Sequence, residues 1–319
     1  MPPDLLEFEE PIGGLLKEIE ALSLLPPAPE RQRSIERLQQ RVESIRADLY
    51  SKLTSWQRVL VARHPNRPDV LDYVERLFTE FTEISGDRRF ADDHAIVAGF
   101  ARYQGEPVMV IGHHKGGGGD TKQKVYRNFG YAKPEGYRKA LRAMKLGEKF
   151  GKPVVCLVDT PGAYPGLGAE ERGQAEAIAR NLREMAELRV PILVAVTGEG
   201  GSGGALGISV GDSILMLEYA IYSVISPEGC ASILWRSTAK APEAAEALGL
   251  TAQTLKRLEL IDEIVPEPVG GAHRSPAEMA ETLREALTRE LQRLRQIPIE
   301  DLLEQRYRKF RRMGVFEEG

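Results

Sequence analysis

Cysteine is scarce in this sequence, which has only Cys156 and Cys230 among 319 residues. Two cysteines cannot form a disulfide framework or, by themselves, a structural zinc site. Cys156 lies in the apolar run 154–158, and Cys230 follows residues 227–229 at a predicted helix start. Both are interpreted as packing residues, so the class of small disulfide-rich secreted domains is excluded.

Long apolar runs and an excess of positive charge are also lacking. No stretch approaches the roughly 18 uncharged apolar residues of a membrane span, and the N-terminus lacks the basic-then-apolar order of a secretory signal. Lys and Arg number 43 against 47 Asp and Glu, a net charge of -4. A dedicated nucleic-acid binder would need a cationic excess. The sequence predicts a cytoplasmic globular protein, with neither membrane nor nucleic acid as a partner.

A helical pattern dominates residues 1–66, which we predict to form an N-terminal arm. Apolar positions such as Leu38, Val42 and Ile45 recur in steps of three and four, as on one stripe of a helix. Such an arm cannot bury its stripe alone, so it packs on the body or on another subunit. An assembly arm and a decorating helix pair both fit this pattern.

Residues 67–319 are predicted to form the main domain. Asp69 caps a helix that extends through Phe81, and an antiparallel hairpin follows over residues 95–112. Helices return from about residue 275. Between the hairpin and these helices, strands and helices alternate, which favours parallel strands joined by crossover helices in an α/β fold.

Glycine is concentrated after two strands of this alternation. The strand 154–159 leads into the loop 160–166 and a helix predicted over 169–188. The strand 192–197 leads into residues 198–204, five of which are glycine, and then into another helix. We expect the chemistry of the protein to lie on these two strand-to-helix turns, with backbone amides as the functional groups.

The second turn matches two motifs built on side chains or cofactors. One is the dinucleotide pattern G-x-G-x-x-G from Gly198, a weak match because its strand is not the first of the domain. The other is the G-x-S-x-G elbow of serine hydrolases, with Ser202 as nucleophile. His273 would then be the base and Asp262 the residue that orients it. A serine hydrolase is therefore the alternative function.

A third interpretation assigns the chemistry to Gly203 and Gly204. Backbone N–H groups at the start of a helix have no intrahelical acceptor, and without side chains two of them can converge on one oxygen. Such a pair forms an oxyanion hole, which stabilises an enolate-like anion without supplying a base. Close packing of helix and strand is the other reason for adjacent glycines.

Residues 115–134 are basic and rich in glycine, and we predict a mobile loop. Its cations are candidates for docking an anionic partner, with a solvated surface as the alternative: Lys115, Lys122, Lys124 and Arg127. A P-loop is excluded because Lys122 follows Thr121 rather than glycine. His113 and His114 would point to opposite faces of a strand, so no metal pair is predicted.

Long stretches around these turns resemble the α subunit of bacterial acetyl-CoA carboxylase carboxyltransferase. The similar stretches are residues 71–74, 86–88, 134–140, 159–166, 170–174, 198–205, 226–235 and 266–268. The resemblance implies a crotonase-like ββα spiral with an N-terminal helical arm and a C-terminal helical segment. It also implies an enzyme that passes the carboxyl group of carboxybiotin to acetyl-CoA, giving malonyl-CoA for fatty-acid synthesis.

The same resemblance implies partners and site residues. The partners are a β subunit in an α2β2 heterotetramer, a biotin carboxyl carrier protein and biotin carboxylase. No cofactor is bound covalently, the biotin comes on the carrier, and zinc belongs to the β subunit. Gly203 and Gly204 would hold the ureido oxygen of biotin. The carboxybiotin pocket would be lined by Gly162, Ala163, Tyr164, Gly166 and Gly168. The sequence departs from the family where three glycines, 117–119, follow Gly116.

Overall fold

The computed structural model describes residues 5–118 and 120–314. Its strands are β1 Thr79–Glu83, β2 Ile96–Tyr103, β3 Glu106–His113, β4 Val154–Thr160, β5 Ile192–Gly201, β6 Ser213–Leu217, β7 Ile221–Ser223 and β8 Glu263–Val265. The helices of the first half are α1 Glu10–Ser23, α2 Pro29–Ser51, α3 Ser55–Ala62, α4 Val70–Leu77, α5 Thr121–Tyr126 and α6 Pro134–Lys149. Those of the second half are α7 Leu167–Glu171, α8 Gln174–Ala186, α9 Ser202–Leu206, α10 Pro227–Trp235, α11 Ala241–Leu248, α12 Ala252–Arg257, α13 Pro276–Arg295 and α14 Ile299–Arg311.

Within the described residues these strands form one eight-stranded sheet, ordered β1-β2-β3-β4-β5-β6-β8, with β7 paired to the end of β5. The predicted hairpin is confirmed, since β2 and β3 are antiparallel. From β3 to β6 neighbouring strands run parallel. Helix α6 connects β3 to β4, and α7 and α8 connect β4 to β5. The predicted crossover connections are therefore also confirmed.

The core of the sheet is built from branched apolar residues on β4 and β5. Every residue of β4, and β5 as far as Gly200, is buried, as expected of parallel strands covered on both faces. Fully burying one such aliphatic side chain stabilises the fold by about 1.5–3 kcal/mol. Cys156 is buried within β4, and burial raises the pKa of its thiol. Cys230 is buried on α10, so both cysteines pack as predicted.

The helix capped by Asp69 is shorter than predicted. Asp69 accepts hydrogen bonds from the N–H groups of Leu71 and Asp72, which confirms the cap. The helix ends at Leu77, however, and Phe78 is already extended. Phe81 lies in strand β1, which pairs with β2 at the edge of the sheet. Pairing with a neighbouring strand overrides the helical spacing of the apolar residues here.

The helix predicted over residues 169–188 is in fact two helices, α7 and α8. Gly173 separates them with a φ of 80°, in the left-handed region where glycine is favoured. The strand predicted over residues 192–197 is longer than expected and continues to Gly201. Most glycines of the second turn are thus strand residues, and only Gly203 and Gly204 belong to the helix that follows.

The N-terminal helices contact the main body through the end of α2 and through α3. Tyr50, Leu53 and Val61 pack with Tyr219 in a small buried cluster, and Ser55 donates a hydrogen bond to Glu246. The arm therefore packs on its own chain, and its boundary at residue 66 stays a prediction. Each helix in the described part of the chain is too short or too polar to cross a membrane.

Candidate functional site

The two glycine-rich turns leave the sheet side by side. Val158 of β4 is paired with Val196 of β5, and Thr160 with Gly200, because the strands are parallel neighbours. The loop after β4 and helix α9 after β5 therefore start at the same edge of the sheet, the carboxyl edge. Ligand sites of parallel α/β sheets are commonly found at this edge.

Glycine allows the two turns to touch through their backbones. A Cβ atom at Gly201 would lie 2.3 Å from the carbonyl carbon of Pro161, and one at Gly204 would lie 2.4 Å from the carbonyl carbon of Gly162. Real Cβ contacts are not this short, so a side chain at either position would push the two turns apart. Close approach is thus the reason for glycine at both positions.

Gly203, unlike Gly201 and Gly204, does not lie against the backbone of the loop after β4. The nearest atom to a Cβ placed there is Cδ1 of Ile178 at 3.8 Å, an ordinary van der Waals distance. Gly203 lines a cavity of about 340 Å³ together with Ser202, Leu206, Tyr222, Leu255 and Phe310. Packing among the described residues therefore does not require glycine at position 203.

Helix α9 offers N–H donors at this cavity. Its N-cap residue, Gly201, has no side chain to accept from the first turn, and the first N–H groups of a helix have no intrahelical acceptor. The helix has only five residues, so its dipole is small, and directed N–H groups are what it contributes. Such donors suit a negative charge that develops on a ligand oxygen.

The loop after β4 is held in shape by its own polar groups. The Oγ1 atom of Thr160 donates to the carbonyl of Gly130 at 2.7 Å and accepts from the N–H of Gly162 at 3.1 Å. Gly162 has a φ of 153°, which side chains rarely adopt. The N–H of Tyr164 donates to the carbonyl of Ala132 at 2.9 Å. The loop therefore presents Gly162 and Ala163 to α9 in one defined conformation.

Charged side chains lie directly behind both turns. Nζ of Lys115 is 2.6 Å from Oδ1 of Asp159 at the end of β4 and 2.6 Å from Oε2 of Glu199 at the end of β5. The other carboxylate oxygen of Glu199 accepts from Nε of Arg63 at 2.6 Å, and Arg63 also donates to Glu228 of α10 at 2.5 Å. The two strand ends thus share one half-buried ion-pair network.

The charges of this network control one another's protonation. Burial alone would raise the pKa of Glu199, but Lys115 and Arg63 lower it below its usual value. Burial alone would lower the pKa of Lys115, but Asp159 and Glu199 raise it above its usual value. Both groups therefore stay ionised near neutral pH.

Comparison with known proteins identifies the family. The sequence profile described as "Acetyl co-enzyme A carboxylase carboxyltransferase-like" matches residues 5–314. The acetyl-coenzyme A carboxylase carboxyl transferase subunit alpha of Geobacter metallireducens is 59% identical over 314 residues, which cover 98% of both chains. The chain belongs to the acetyl-CoA carboxylase carboxyltransferase family. It corresponds to the α subunit of this biotin-dependent enzyme, whose reaction is carboxyl transfer to acetyl-CoA.

Solved structures show that this carboxyltransferase subunit has a crotonase-like α/β fold, as predicted. A structure of transcarboxylase 12S matches with a TM-score of 0.55 and 21% identity, covering 69% of this chain and 41% of that chain. The β subunit of P. aeruginosa geranyl-CoA carboxylase also matches with a TM-score of 0.55, at 20% identity, covering 80% of this chain and 45% of that chain. The chain thus spans less than half the length of these structures.

In the carboxyltransferase subunit, most predicted pocket residues lie together. Gly162 and Ala163 contact Gly204, and Tyr164 follows them in the same loop. Gly166 faces the ring of Tyr164, since a Cβ there would lie 2.5 Å from its Cε1 atom. Gly168 lies in α7, where a Cβ would meet the guanidinium of Arg172 at 2.9 Å. Their roles toward a ligand stay predictions.

The four cations of the basic segment have different surroundings. Lys115 is engaged by Asp159 and Glu199. Residues 121–126, predicted as part of a mobile loop, form helix α5, on which Lys122 is exposed and Lys124 half-buried. Arg127 donates to the carbonyl of His94 at 3.0 Å. Only Lys122 and Lys124 therefore remain candidates for docking an anion.

The hydrolase alternative is not favoured by the contacts of its three residues. Ser202 has a φ of 50°, a strained conformation that nucleophile elbows also show. However, His273 stacks on His64 with ring centroids 3.7 Å apart. The carboxylate of Asp262 instead pairs with Lys309 and accepts from the N–H of Ile214. Asp262 therefore does not orient His273.

Sequence reasoning missed the ion-pair network behind the turns. Asp159 and Glu199 both lie within the two glycine-rich turns, but no role was predicted for either carboxylate. The available signal was a charged residue at the end of each of two apolar runs, where an unpaired charge would be costly to bury. Arg63 gave no local signal, because its partners are more than 130 positions away in the chain. Among the described residues no cluster of three or more metal-ligating side chains is present, and the prediction about zinc stays untested.

Proposed function

We propose that this chain is the biotin-binding half of the carboxyltransferase site, with the N–H groups of Gly203 and Gly204 as its oxyanion hole. The observation that carries the proposal is the position of Gly203. It lines a cavity of about 340 Å³ at the start of a helix, and packing within the chain does not explain its lack of a side chain.

The residues of the cavity fit a bicyclic, largely apolar group with one polar end. Apolar side chains such as Leu206, Leu255 and Phe310 line its wall, and the polar donors at Gly203 lie at one side. Carboxybiotin supplies the carboxyl group, and negative charge moves onto its ureido oxygen as that group leaves. The N–H groups of Gly203 and Gly204 would stabilise this charge more strongly as it develops, which lowers the barrier to transfer.

The loop after β4 would support the helix start that carries these N–H groups. Gly162 and Ala163 lie against Gly204, so their backbone would fix the position of the first turn of α9. Tyr164 lies on the same loop, with Nζ of Lys133 5.6 Å from the centre of its ring. A rigid loop and a rigid helix start would hold the reacting atoms in place, an effect worth several kcal/mol in enzymes.

A β subunit is the proposed partner that completes the site. Two apolar side chains of the cavity wall are largely exposed, Leu206 by 41% and Val224 by 76%. Helix α10, which begins soon after Val224, exposes Ile233 by 71% and Leu234 by 65%. Contiguous exposed apolar side chains mark protein interfaces.

We propose that the β subunit covers these four exposed apolar side chains in a cytoplasmic α2β2 complex. The β subunit would also bind acetyl-CoA and carry the zinc. The biotin carboxyl carrier protein, loaded by biotin carboxylase, would deliver the carboxybiotin.

Gly203→Val tests the oxyanion hole. Among residues 5–118 and 120–314, a Cβ at Gly203 meets only Ile178, at an ordinary distance, so the variant should fold, while its branched side chain crowds the N–H groups. Malonyl-CoA formation by the assembled α–β complex should fall by ~10²–10³-fold, the usual loss for one oxyanion donor. The loss should appear in turnover and leave the Michaelis constant for acetyl-CoA nearly unchanged.

Ser202→Ala is the matched control at the neighbouring position. It keeps the backbone N–H, so the proposal predicts a small effect on turnover, whereas a hydrolase with Ser202 as nucleophile would lose all activity. A fluorophosphonate probe should leave the wild-type chain unlabelled. Normal turnover of an assembled Gly203→Val complex would contradict the proposed role of this turn.

A further inference from the structure

We propose that Lys115 is a positioning residue for carboxyl transfer, which holds the ends of β4 and β5 together so that the two turns meet. This inference rests on the proposed function of Gly203 and Gly204. It assigns to Lys115 a role inside the chain, in place of the anion docking expected from the sequence.

The geometry of Lys115 fits a clamp between two strands. Its ammonium group is 2.6 Å from a carboxylate oxygen of Asp159 and 2.6 Å from one of Glu199. Asp159 immediately precedes Thr160, where β4 ends, and Glu199 lies two residues before the end of β5. Oδ1 of Asp159 also accepts from the N–H of Glu199 at 2.8 Å. One cation therefore joins the two strand ends from which the site is built.

Without this cation, the two carboxylates would repel each other. Both lie within hydrogen-bond distance of the same nitrogen, and their side chains are only 9% exposed, so water screens them poorly. Removing one partner of a buried ion pair leaves an uncompensated charge, which is strongly destabilising. Arg63 would still neutralise Glu199 in part, but Asp159 would lose its cation.

A small movement of the strand ends would reach the catalytic turn directly. Behind the turn, a Cβ at Gly198 would lie 2.4 Å from the Asp159 carboxylate, and further along one at Gly201 would lie 2.3 Å from Pro161. The two segments are thus in close contact at three positions, Gly198, Gly201 and Gly204. Catalytic groups must be held to within about 0.5 Å of their productive positions. Separation of the strand ends should therefore displace the start of α9, which carries the N–H groups of Gly203 and Gly204.

Lys115→Met removes the charge and keeps most of the side-chain length. In the assembled α–β complex, turnover should fall by ~10–100-fold, the range expected for a misplacement of up to 1 Å. The Michaelis constant for acetyl-CoA should change little. Amide hydrogen exchange at Thr160, Gly162, Ala163 and residues 200–204 should become faster, because the two turns no longer hold each other.

A double variant separates positioning from direct contact with the substrate. Lys115→Met combined with Asp159→Asn removes both the repulsion and the uncompensated carboxylate without restoring the ammonium group, while Glu199 keeps Arg63. Turnover and amide exchange should return most of the way to the values of Asp159→Asn alone, and Lys115→Arg, which keeps the charge, should exceed Lys115→Met in turnover. If the double variant stays as slow as Lys115→Met, Lys115 acts on the substrate itself and the proposal is overturned.

The exchange measurement distinguishes failure of this inference from failure of the proposed function. Wild-type exchange rates at both turns in Lys115→Met would show that Lys115 does not position them, whatever the activity. Faster exchange with normal turnover would show that Lys115 positions the turns and that Gly203 and Gly204 are not the oxyanion hole.

Discussion

Two segments of this chain have similar glycine content but use glycine for different purposes. The second segment along the chain, residues 198–204, runs through the end of β5 into α9, and its glycines let backbones and buried side chains approach one another. The first segment begins at Gly116. In it, Gly116 and Gly118 have φ angles of 81° and 73°, so glycine there permits left-handed turns. Glycine content alone therefore does not distinguish a mobile loop from a tightly packed site.

The first segment is also held in place by contacts with other parts of the chain, although its glycine content predicted a mobile loop. The N–H of Gly117 donates to Oδ2 of Asp69 at 3.0 Å, and a Cβ at Gly116 would lie 2.6 Å from the backbone of Lys124. The chain then continues into α5, whose N-cap is Asp120. Lys115, which precedes this segment, pairs with Glu199 of the other, so the two segments are coupled through one ion pair.

The largest expected effect comes from Gly204→Val in the second segment. Its Cβ would clash with the backbone of Gly162 at 2.4 Å, so the loop after β4 must move away. Turnover of the α–β complex should fall by ~10²–10³-fold or more, and the free energy of unfolding should fall by about 1–3 kcal/mol. Malonyl-CoA assays and denaturant unfolding measure the two quantities on the same preparation.

Gly118→Ala in the first segment is the control for this comparison. A Cβ at Gly118 meets no atom of the part of the chain that the structure describes within 4 Å, so its left-handed φ is the unfavourable feature, by about 1–2 kcal/mol. Stability should fall slightly while turnover of the folded complex stays normal. Equal losses of turnover in the two variants would show that the segments do not differ in the way the structure indicates.

The sequence predicted the architecture better than the details of the site. Apolar runs such as 154–158 and 192–197 predicted parallel strands correctly, because burial on both faces leaves a strong pattern. Phe81 was misplaced in a helix, because its spacing fits the helical period and β1 is defined only by pairing with β2. Gly173, which divides α7 from α8, left only a weak signal within an otherwise helical pattern.

The sequence identified the two turns of the site, but it did not show that their glycines are required for different reasons. Gly203 and Gly204 are adjacent in the sequence, yet of the two only Gly204 lies against the backbone of another segment in the described structure. The partner of Gly204 is more than 40 residues away, at Gly162, and such contacts arise from the register of β4 and β5. The same register brings Asp159 and Glu199 to Lys115, so the clamp could not be read from local patterns either.

A smaller effect is expected for the pH dependence of stability, which tests the coupling between the segments. Because Lys115 and Arg63 lower the folded-state pKa of Glu199 against the opposing effect of burial, ionised Glu199 stabilises the native state above its unfolded pKa. This contribution is lost as pH falls through the folded pKa. Glu199→Gln should therefore be less stable than wild type at neutral pH, and the difference should shrink in acid. Urea unfolding between pH 7 and about pH 3 measures it. A difference that is independent of pH would mean that the pair does not contribute to stability.

The smallest expected effect concerns the exposed cations of the first segment. Lys122 is exposed and Lys124 half-buried on α5. Lys115 is already paired with Asp159 and Glu199. The candidates for binding an anionic partner are therefore Lys122 and Lys124. If these two lysines bind CoA phosphates or an acidic face of the carrier protein, the double variant Lys122→Gln with Lys124→Gln should raise one Michaelis constant a few-fold without loss of turnover. The constant would be that for acetyl-CoA or that for the carrier protein. Charge steering is screened over ~8 Å at physiological salt, so the effect should grow at low ionic strength. Lys17→Gln with Lys149→Gln, two exposed lysines on α1 and α6, controls for the change in net charge. Constants that match the control at every salt concentration would leave α5 as a solvated surface, and catalysis would depend on the second segment alone.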